Sequence, residues 1–287
     1  MSRLISPSRL ISVPHANPIQ QVLHLRLAQN PAQAYVLYLP NANLRQAPVL
    51  VCVHGISRNA EEQINCFSDY AEANGVILIA PIFDDVRFPD YQRLGRSKRG
   101  QRADLMLTAI LAEVSQHIGV DIHRVSLFGY SGGAQFAHRF MMAYPERINA
   151  VVVAAAGWYT FPDSGCRYPR GTAHVESLMD MSFDLDRFLQ IPVCALVGEH
   201  DTIRDSTLRS GPKLERQQGL TRKERAHRWI CAMREAAKER GYSTLYYFEL
   251  LPKTGHSFTM AMKEGDMGER VFRFLFPASQ SRSPLGK

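Results

Sequence analysis

The stretch Phe128-Gly129-Tyr130-Ser131-Gly132-Gly133-Ala134-Gln135 decides how this chain is read. Before it, Arg124-Val125-Ser126-Leu127 is a short apolar strand candidate; after it, residues 135–144 carry helical spacing up to Pro145. A serine in Gly-x-Ser-x-Gly, set between a strand and a helix, has the pattern of a nucleophile elbow. A turn that sharp strains the serine backbone and brings strand and helix very close. A side chain at Gly129 or Gly133 would therefore collide, and Gly132 keeps the approach to the serine open. The expected result is a hydroxyl raised above a sheet, with helix-start N–H groups beneath it. A glycine-rich turn with a solvated serine is the plain alternative, and the flanking strand and helix argue against it.

Outward from this stretch, strands and helices alternate. Residues 48–53 and 76–80 are continuous apolar runs, as expected of parallel strands buried on both faces. Between them residues 61–73 form a helix candidate ended by Asn74-Gly75. Residues 102–118 form another, with Leu105, Ile110, Leu111 and Val114 on one face and Gly119 as its cap. Later strands are expected at 150–155, 193–197 and 245–250, and helices at 222–239 and 267–276. Near the start, residues 20–27 alternate apolar and polar, Asn30-Pro31 turns the chain, and 34–39 returns. The sum is an α/β fold: a single doubly wound, mostly parallel sheet with an N-terminal antiparallel hairpin, in one domain over residues 19–276. Residues 157–190 lack a long apolar period and read as an insertion after the strand that follows the elbow helix, where a lid or substrate wall belongs; 83–100 is similar. Residues 1–18, with a near-duplicated Ser-Arg-Leu-Ile-Ser, read as a flexible arm, and 277–287 as a disordered tail.

A serine hydroxyl is a weak nucleophile until a base takes its proton, so the elbow requires a histidine and an acid to orient it. In this architecture the acid and then the histidine follow the serine in the chain. Gly198-Glu199-His200-Asp201 places Asp201 just past a strand, facing a cleft, with Glu199 and Asp205 as rivals. Lys253-Thr254-Gly255-His256 places His256 in the loop after the next strand. Both fall on the same sheet edge as Ser131. For the oxyanion, the Gly132 N–H is one donor and the Ile56 N–H, in the loop Val53-His54-Gly55-Ile56-Ser57, is the other. His54 is read as bracing that loop, with a second catalytic base as the alternative. Tyr130, Trp158 and Tyr159 are candidate substrate contacts; a core role is the alternative for Trp158.

Together, the His54-Gly55 loop, the Gly-Tyr-Ser-Gly-Gly elbow, Gly198–Asp201 and Gly255-His256 resemble the α/β-hydrolase superfamily. Within it, the Gly-Tyr-Ser-Gly-Gly-Ala-Gln start is similar to the bacterial esterase branch that includes polyhydroxybutyrate-depolymerase-like and feruloyl-esterase-like proteins. The resemblance covers residues 20–276 and implies a serine esterase without a cofactor, acting on a small-molecule ester. The same machinery cleaves amides and thioesters, so a peptidase or thioesterase is the near alternative. A non-catalytic binding protein on the same fold is the distant one.

Composition narrows the rest. The net charge of +7 is concentrated in residues 87–102 and 204–240. Neither segment interleaves aromatics with arginines, so solvated helix faces are expected rather than a nucleic-acid surface. No run approaches the roughly 18 apolar residues of a membrane span, and the N-terminus is a poor secretory signal. Five scattered cysteines, with Cys52 and Cys194 inside strand candidates, suggest free thiols in a reducing, cytoplasmic setting. No cysteine–histidine cluster suggests a metal.

Overall fold

The computed structural model describes residues 21–277 apart from 97 and 179. The expected arm lies outside the described residues, as does all but the first residue of the expected tail. The chain opens with β1 (Gln21–Leu27) and β2 (Asn30–Leu39), followed by β3 (Val49–Val53), α1 (Ala60–Asn74), β4 (Ile77–Pro81) and α2 (Ala103–Ile118). The elbow joins β5 (Val125–Tyr130) to α3 (Gly132–Ala143), and β6 (Ile148–Ala154) leads through a long irregular stretch to α4 (Leu185–Phe188). Then come β7 (Val193–Gly198), α5 (Pro212–Gln218), α6 (Arg222–Glu239), β8 (Tyr246–Leu251), α7 (Phe258–Lys263) and α8 (Met267–Leu275).

The strands form one eight-stranded sheet in the order β1-β2-β4-β3-β5-β6-β7-β8. From β4 to β8 every pairing is parallel, and β1 and β2 join antiparallel. Every residue of β3, β4, β5 and β7 is buried, because helices cover both faces. Val51, Val53 and Leu127 pack toward α2, α3 and α6. Their neighbours Leu50, Cys52 and Phe128 pack toward α1 and α8. This is the period-two alternation of a strand, with both faces apolar.

Four details differ from the sequence reading. The hairpin turn sits at Ala28-Gln29, because Leu27 pairs directly with Asn30. Pro31 is tolerated inside β2 because β4 pairs only with Tyr35–Tyr38, leaving that end of β2 without a neighbour on the β4 side. Leu105 is half exposed and Leu107 takes the buried position: at about 100° per residue, Leu107 shares a face with Ile110, Leu111 and Val114, and Leu105 does not. The third concerns the basic segment 204–240, in which Arg222 and Arg225 are buried rather than solvated, since both satisfy loop groups at the sheet edge. The fourth is α5 and α7, which are too short to have shown a period.

Residues 157–190 pack down rather than standing clear. Tyr159, Phe161, Tyr168 and Phe188 join the core beside α3 and α6, and the Trp229 indole donates to the Thr160 carbonyl at 2.8 Å.

The closest backbone approach in the sheet region involves the elbow glycines. A Cβ on Gly133 would stand 1.9 Å from the Val53 carbonyl oxygen, and one on Gly129 would stand 2.3 Å from the Gly133 carbonyl carbon. Gly119, the C-cap of α2, has φ +65° but nothing within 4 Å of its would-be Cβ. Gly133→Ala is therefore expected to destabilise by more than about 4 kcal/mol or to prevent folding, and Gly119→Ala to cost about 1–2 kcal/mol through backbone conformation alone. Urea unfolding of the two variants measures the difference; equal costs would refute the steric account.

Candidate active site

Strand β5 delivers the chain to Ser131 with φ 53° and ψ −108°, a conformation that costs a non-glycine residue strain of roughly 1–3 kcal/mol. It is held there because the Ser131 N–H donates to the Ala154 carbonyl at 2.8 Å and α3 starts at the next residue. Gly132 is the first residue of that helix, so its N–H has no partner within the helix. A Cβ on Gly132 would meet the Tyr91 hydroxyl at 2.5 Å and stand 3.4 Å from the Ile56 nitrogen. The Ile56 backbone thus comes up against the first residue of α3.

The loop that carries Ile56 is braced by His54, which is fully buried. Its Nδ1 donates to the Gly55 carbonyl at 2.8 Å, and its Nε2 accepts from the Phe83 N–H at 2.9 Å. With both nitrogens engaged, the ring is neutral and protonated at Nδ1; burial lowers its pKa from 6.5 to about 4. The Tyr91 hydroxyl donates to the His54 carbonyl at 3.0 Å.

The histidine and the acid come from two loops that interlock beyond β7 and β8. A Cβ on Gly198 would fall 2.4 Å from the Thr254 carbonyl oxygen, so glycine is what lets the loops touch. The His200 N–H then donates to that same carbonyl at 2.8 Å. This brings His256 Nδ1 to 2.9 Å from Asp201 Oδ2, and His256 Nε2 to 3.1 Å from Ser131 Oγ. The imidazole donates from Nδ1 to the carboxylate, which leaves Nε2 to accept the serine proton. Tyr130 stacks under the imidazole, with ring centroids 5.6 Å apart at 27°. Its hydroxyl is buried without a partner, and burial raises its pKa.

Asp201 is 2% exposed and so sits in the interior, not facing a cleft as expected. Its second oxygen lies 3.3 Å from Arg222 Nη1, and Arg222 also pairs with Asp205 at 3.1 Å. Hydrogen bonds from Arg222 and Thr207 hold the Asp205 carboxyl well below the usual carboxylate range. The rivals are thus accounted for: Asp205 shares the arginine but not the histidine, and Glu199 accepts from the Lys253 N–H. Arg222 was not anticipated. The Thr221-x-x-Glu224 cap, with the Glu224 N–H donating to Thr221 Oγ1 at 3.2 Å, puts it in the first turn of α6. Nothing in the local pattern reveals that it reaches back to the loop after β7.

A cleft of about 290 Å³ opens over Ser131 and His256. Gly55, Ile56, Tyr130, Thr207 and Phe258 line it together with Gln63. Trp158 and Tyr159 do not line it: both are buried, and Tyr159 stacks on Trp229 at 4.6 Å. Among the described residues, no group of three or more histidine, cysteine or acidic side chains converges as a metal site would require, and no helix is long and apolar enough to cross a membrane.

No family model and no curated protein matches the sequence. Solved structures do match. Poly(aspartic acid) hydrolase-1 from Sphingomonas sp. KT-1 is similar with a TM-score of 0.73 and 23% identity, over 91% of this chain and 99% of that one. A poly(3-hydroxybutyrate) depolymerase from Bordetella parapertussis is similar with a TM-score of 0.70 and 25% identity, over 90% of each. An S-formylglutathione hydrolase from Agrobacterium tumefaciens follows with 0.58 and 16%, over 89% of this chain and 95% of that one. The chain is an α/β-hydrolase by fold.

In this α/β-hydrolase fold the site lies where the winding reverses. The crossover from β3 leads to β4 on one side, and β5 lies on the other, so the loops after β3 and β5 diverge and leave a crevice. Ile56, Ser131, Asp201 and His256 all come from the C-terminal ends of strands, which is why residues up to 200 positions apart meet there.

The buried neutral histidines set a pH dependence. The folded-state pKa of His54 is lowered to about 4, and that of His138 is lowered well below 6.5 by burial. Between about pH 6.5 and 4 the unfolded chain binds protons that the folded chain does not, so stability falls as pH falls through that window. For His54 alone the loss is about 3 kcal/mol. Urea midpoints across this range are expected to fall, and His54→Gln to flatten the slope by up to one proton; an unchanged slope would mean His54 is already charged in the folded protein.

Proposed function

We propose that this chain is a serine hydrolase that cleaves a carboxylic ester through an acyl-enzyme. The observation that carries the reading is the hydrogen-bonded line Asp201–His256–Ser131, ending at a strained serine beside the Gly132 and Ile56 N–H groups. In this reading Ser131 Oγ attacks the ester carbonyl as His256 Nε2 takes its proton. The carbonyl electrons move to oxygen, and the N–H groups of Gly132 and Ile56 hold that charge. Collapse expels the alcohol, which receives the proton from His256, and water repeats the sequence on the acyl-enzyme. Asp201 fixes the imidazole tautomer, and Arg222 fixes Asp201. Tyr130 supports the imidazole from below and borders the substrate.

The solved structures it resembles include a poly(3-hydroxybutyrate) depolymerase and an S-formylglutathione hydrolase, which supports hydrolysis as the reaction class. Neither a cofactor nor a metal is needed. Five free cysteines support a reducing, cytoplasmic setting. The intact line of serine, histidine and acid argues against a binding protein that has lost catalysis.

A fluorophosphonate is expected to label Ser131 covalently, and Ser131→Ala to fold while losing both the label and ester turnover. Labelling that survives this substitution sinks the assignment. Asp201→Asn preserves shape but allows the wrong histidine tautomer, so kcat is expected to fall by up to about 10⁴ as in serine proteases. Asp205→Asn weakens the pairing with Arg222 and the turn at Thr207 and Leu208 but leaves the Asp201–His256 contact in place, and is expected to cost far less. Were Asp205→Asn the crippling change, the acid would have been misassigned; kinetics on p-nitrophenyl esters of varied acyl length reads both variants.

A further inference from the structure

Three arginines surround one indole beside α3. The guanidinium carbons of Arg139, Arg209 and Arg93 lie 4.5, 5.2 and 5.3 Å from the centre of the Trp158 ring. Among the described residues none of the three is in an ion pair, and Asp90, in the same loop as Arg93, is taken by Arg96 at 2.5 Å. Arg139 is fully buried. Its Nε donates to Thr160 Oγ1 at 3.0 Å and its Nη1 to the Gln92 carbonyl at 2.6 Å, while Nη2 has no partner. Burial and the charges of Arg93 and Arg209 work against its cation and lower its pKa to about 10. A buried cation with an idle donor and two like charges beside it is unfavourable unless an anion joins it.

The cluster is tied to the proposed reaction centre by three connections. Arg139 lies eight residues after Ser131, about 12 Å along α3, but its Nη1 reaches back to within 3.3 Å of the Gln135 carbonyl. That oxygen points toward the C-terminal end of α3, so the charge stands about 8 Å along the helix axis from the serine. Arg93 follows Tyr91, whose hydroxyl crowds Gly132. Arg209 follows Thr207, which lines the cleft. Arg209 and Trp158 are also held in place: buried Arg225 donates to the Arg209 carbonyl at 2.9 Å and to the Gly157 carbonyl at 2.6 Å. Arg209 is exposed and Arg93 is half-buried, so the cluster is open to solvent on one side.

Resting on the ester-hydrolase reading above, we propose that Arg93, Arg139 and Arg209 form an anion subsite that binds a carboxylate on the substrate while Ser131 attacks the ester. The guanidinium forks match a carboxylate, and Trp158 holds them in position by cation–π contact. The substrate class is then an ester that carries a free carboxylate in its acyl or alcohol part.

The test compares neutral p-nitrophenyl butyrate with two carboxylate esters, mono-p-nitrophenyl glutarate with its carboxylate in the acyl part and 3-acetoxybenzoate with its carboxylate in the alcohol part, each of these two beside its methyl-ester counterpart. At least one carboxylate ester is expected to show a KM about tenfold or more below its methyl ester, with the advantage shrinking as salt is raised. Arg209→Gln and Arg93→Gln are expected to raise that KM while leaving kcat and the neutral butyrate unchanged. Arg209→Lys is expected to restore part of it. Independently of turnover, calorimetry with monomethyl glutarate on the folded Ser131→Ala protein is expected to show binding that Arg209→Gln weakens. If butyrate is cleaved but no carboxylate ester is favoured and monomethyl glutarate does not bind, the subsite is refuted and the hydrolase reading stands. If monomethyl glutarate binds but no ester is cleaved and Ser131 takes no fluorophosphonate, the hydrolase reading fails and the anion site stands.

Discussion

The structure depends on one backbone contact, the approach of the start of α3 to the end of β3. Only a hydrogen at Gly133 fits against the Val53 carbonyl, where a Cβ would stand 1.9 Å away. That approach forces the turn at Ser131 into φ 53°. It leaves the first N–H groups of α3 pointing out of the sheet, and it brings the loop after β3 against the serine. Hydroxyl position, N–H donors and crevice are thus consequences of a single steric demand, and the strain at Ser131 is held by sheet packing on both sides.

Electrostatics then completes what packing begins. The site stacks Ser131, His256, Asp201, Arg222 and Asp205 in a hydrogen-bonded row running from the cleft inward. Each buried charge has an opposite neighbour, as burial demands. The row stops at Asp205, which is partly exposed and can be solvated. Beside α3 the rule is broken, because Arg93, Arg139 and Arg209 surround a tryptophan and, among the described residues, none of the three is in an ion pair. The contrast between a satisfied row and an unsatisfied cluster is what makes the second conspicuous.

The basic composition takes on a different meaning in three dimensions. Read along the chain, arginines at 204–240 suggest solvated helix faces. In the fold, Arg222 and Arg225 are buried anchors that tie the loops after β6 and β7 together. A long side chain with a branched head can cap several carbonyls and carboxylates at once, and helical spacing does not reveal which side chains are used that way. Leu105 is the converse case: an apolar residue in an apolar helix, left half exposed because it lies off the shared face.

What the sequence by itself determined is local and periodic. The parallel strands, the elbow glycines and the order of serine, acid and histidine were legible, because buried strands demand continuous apolar runs and sharp turns demand glycine. That Asp201 rather than Glu199 or Asp205 would lie against His256 was legible from its place just past a strand, and that the Ile56 loop would lie against Gly132 from its place after an early one. Tertiary structure alone decided which charges became buried, that Trp158 sits among arginines rather than on the cleft wall, and that Arg222 stands behind Asp201. These contacts join residues tens to more than a hundred positions apart. Their energies depend on who meets across the sheet edge, and no short-range pattern in a chain encodes that meeting.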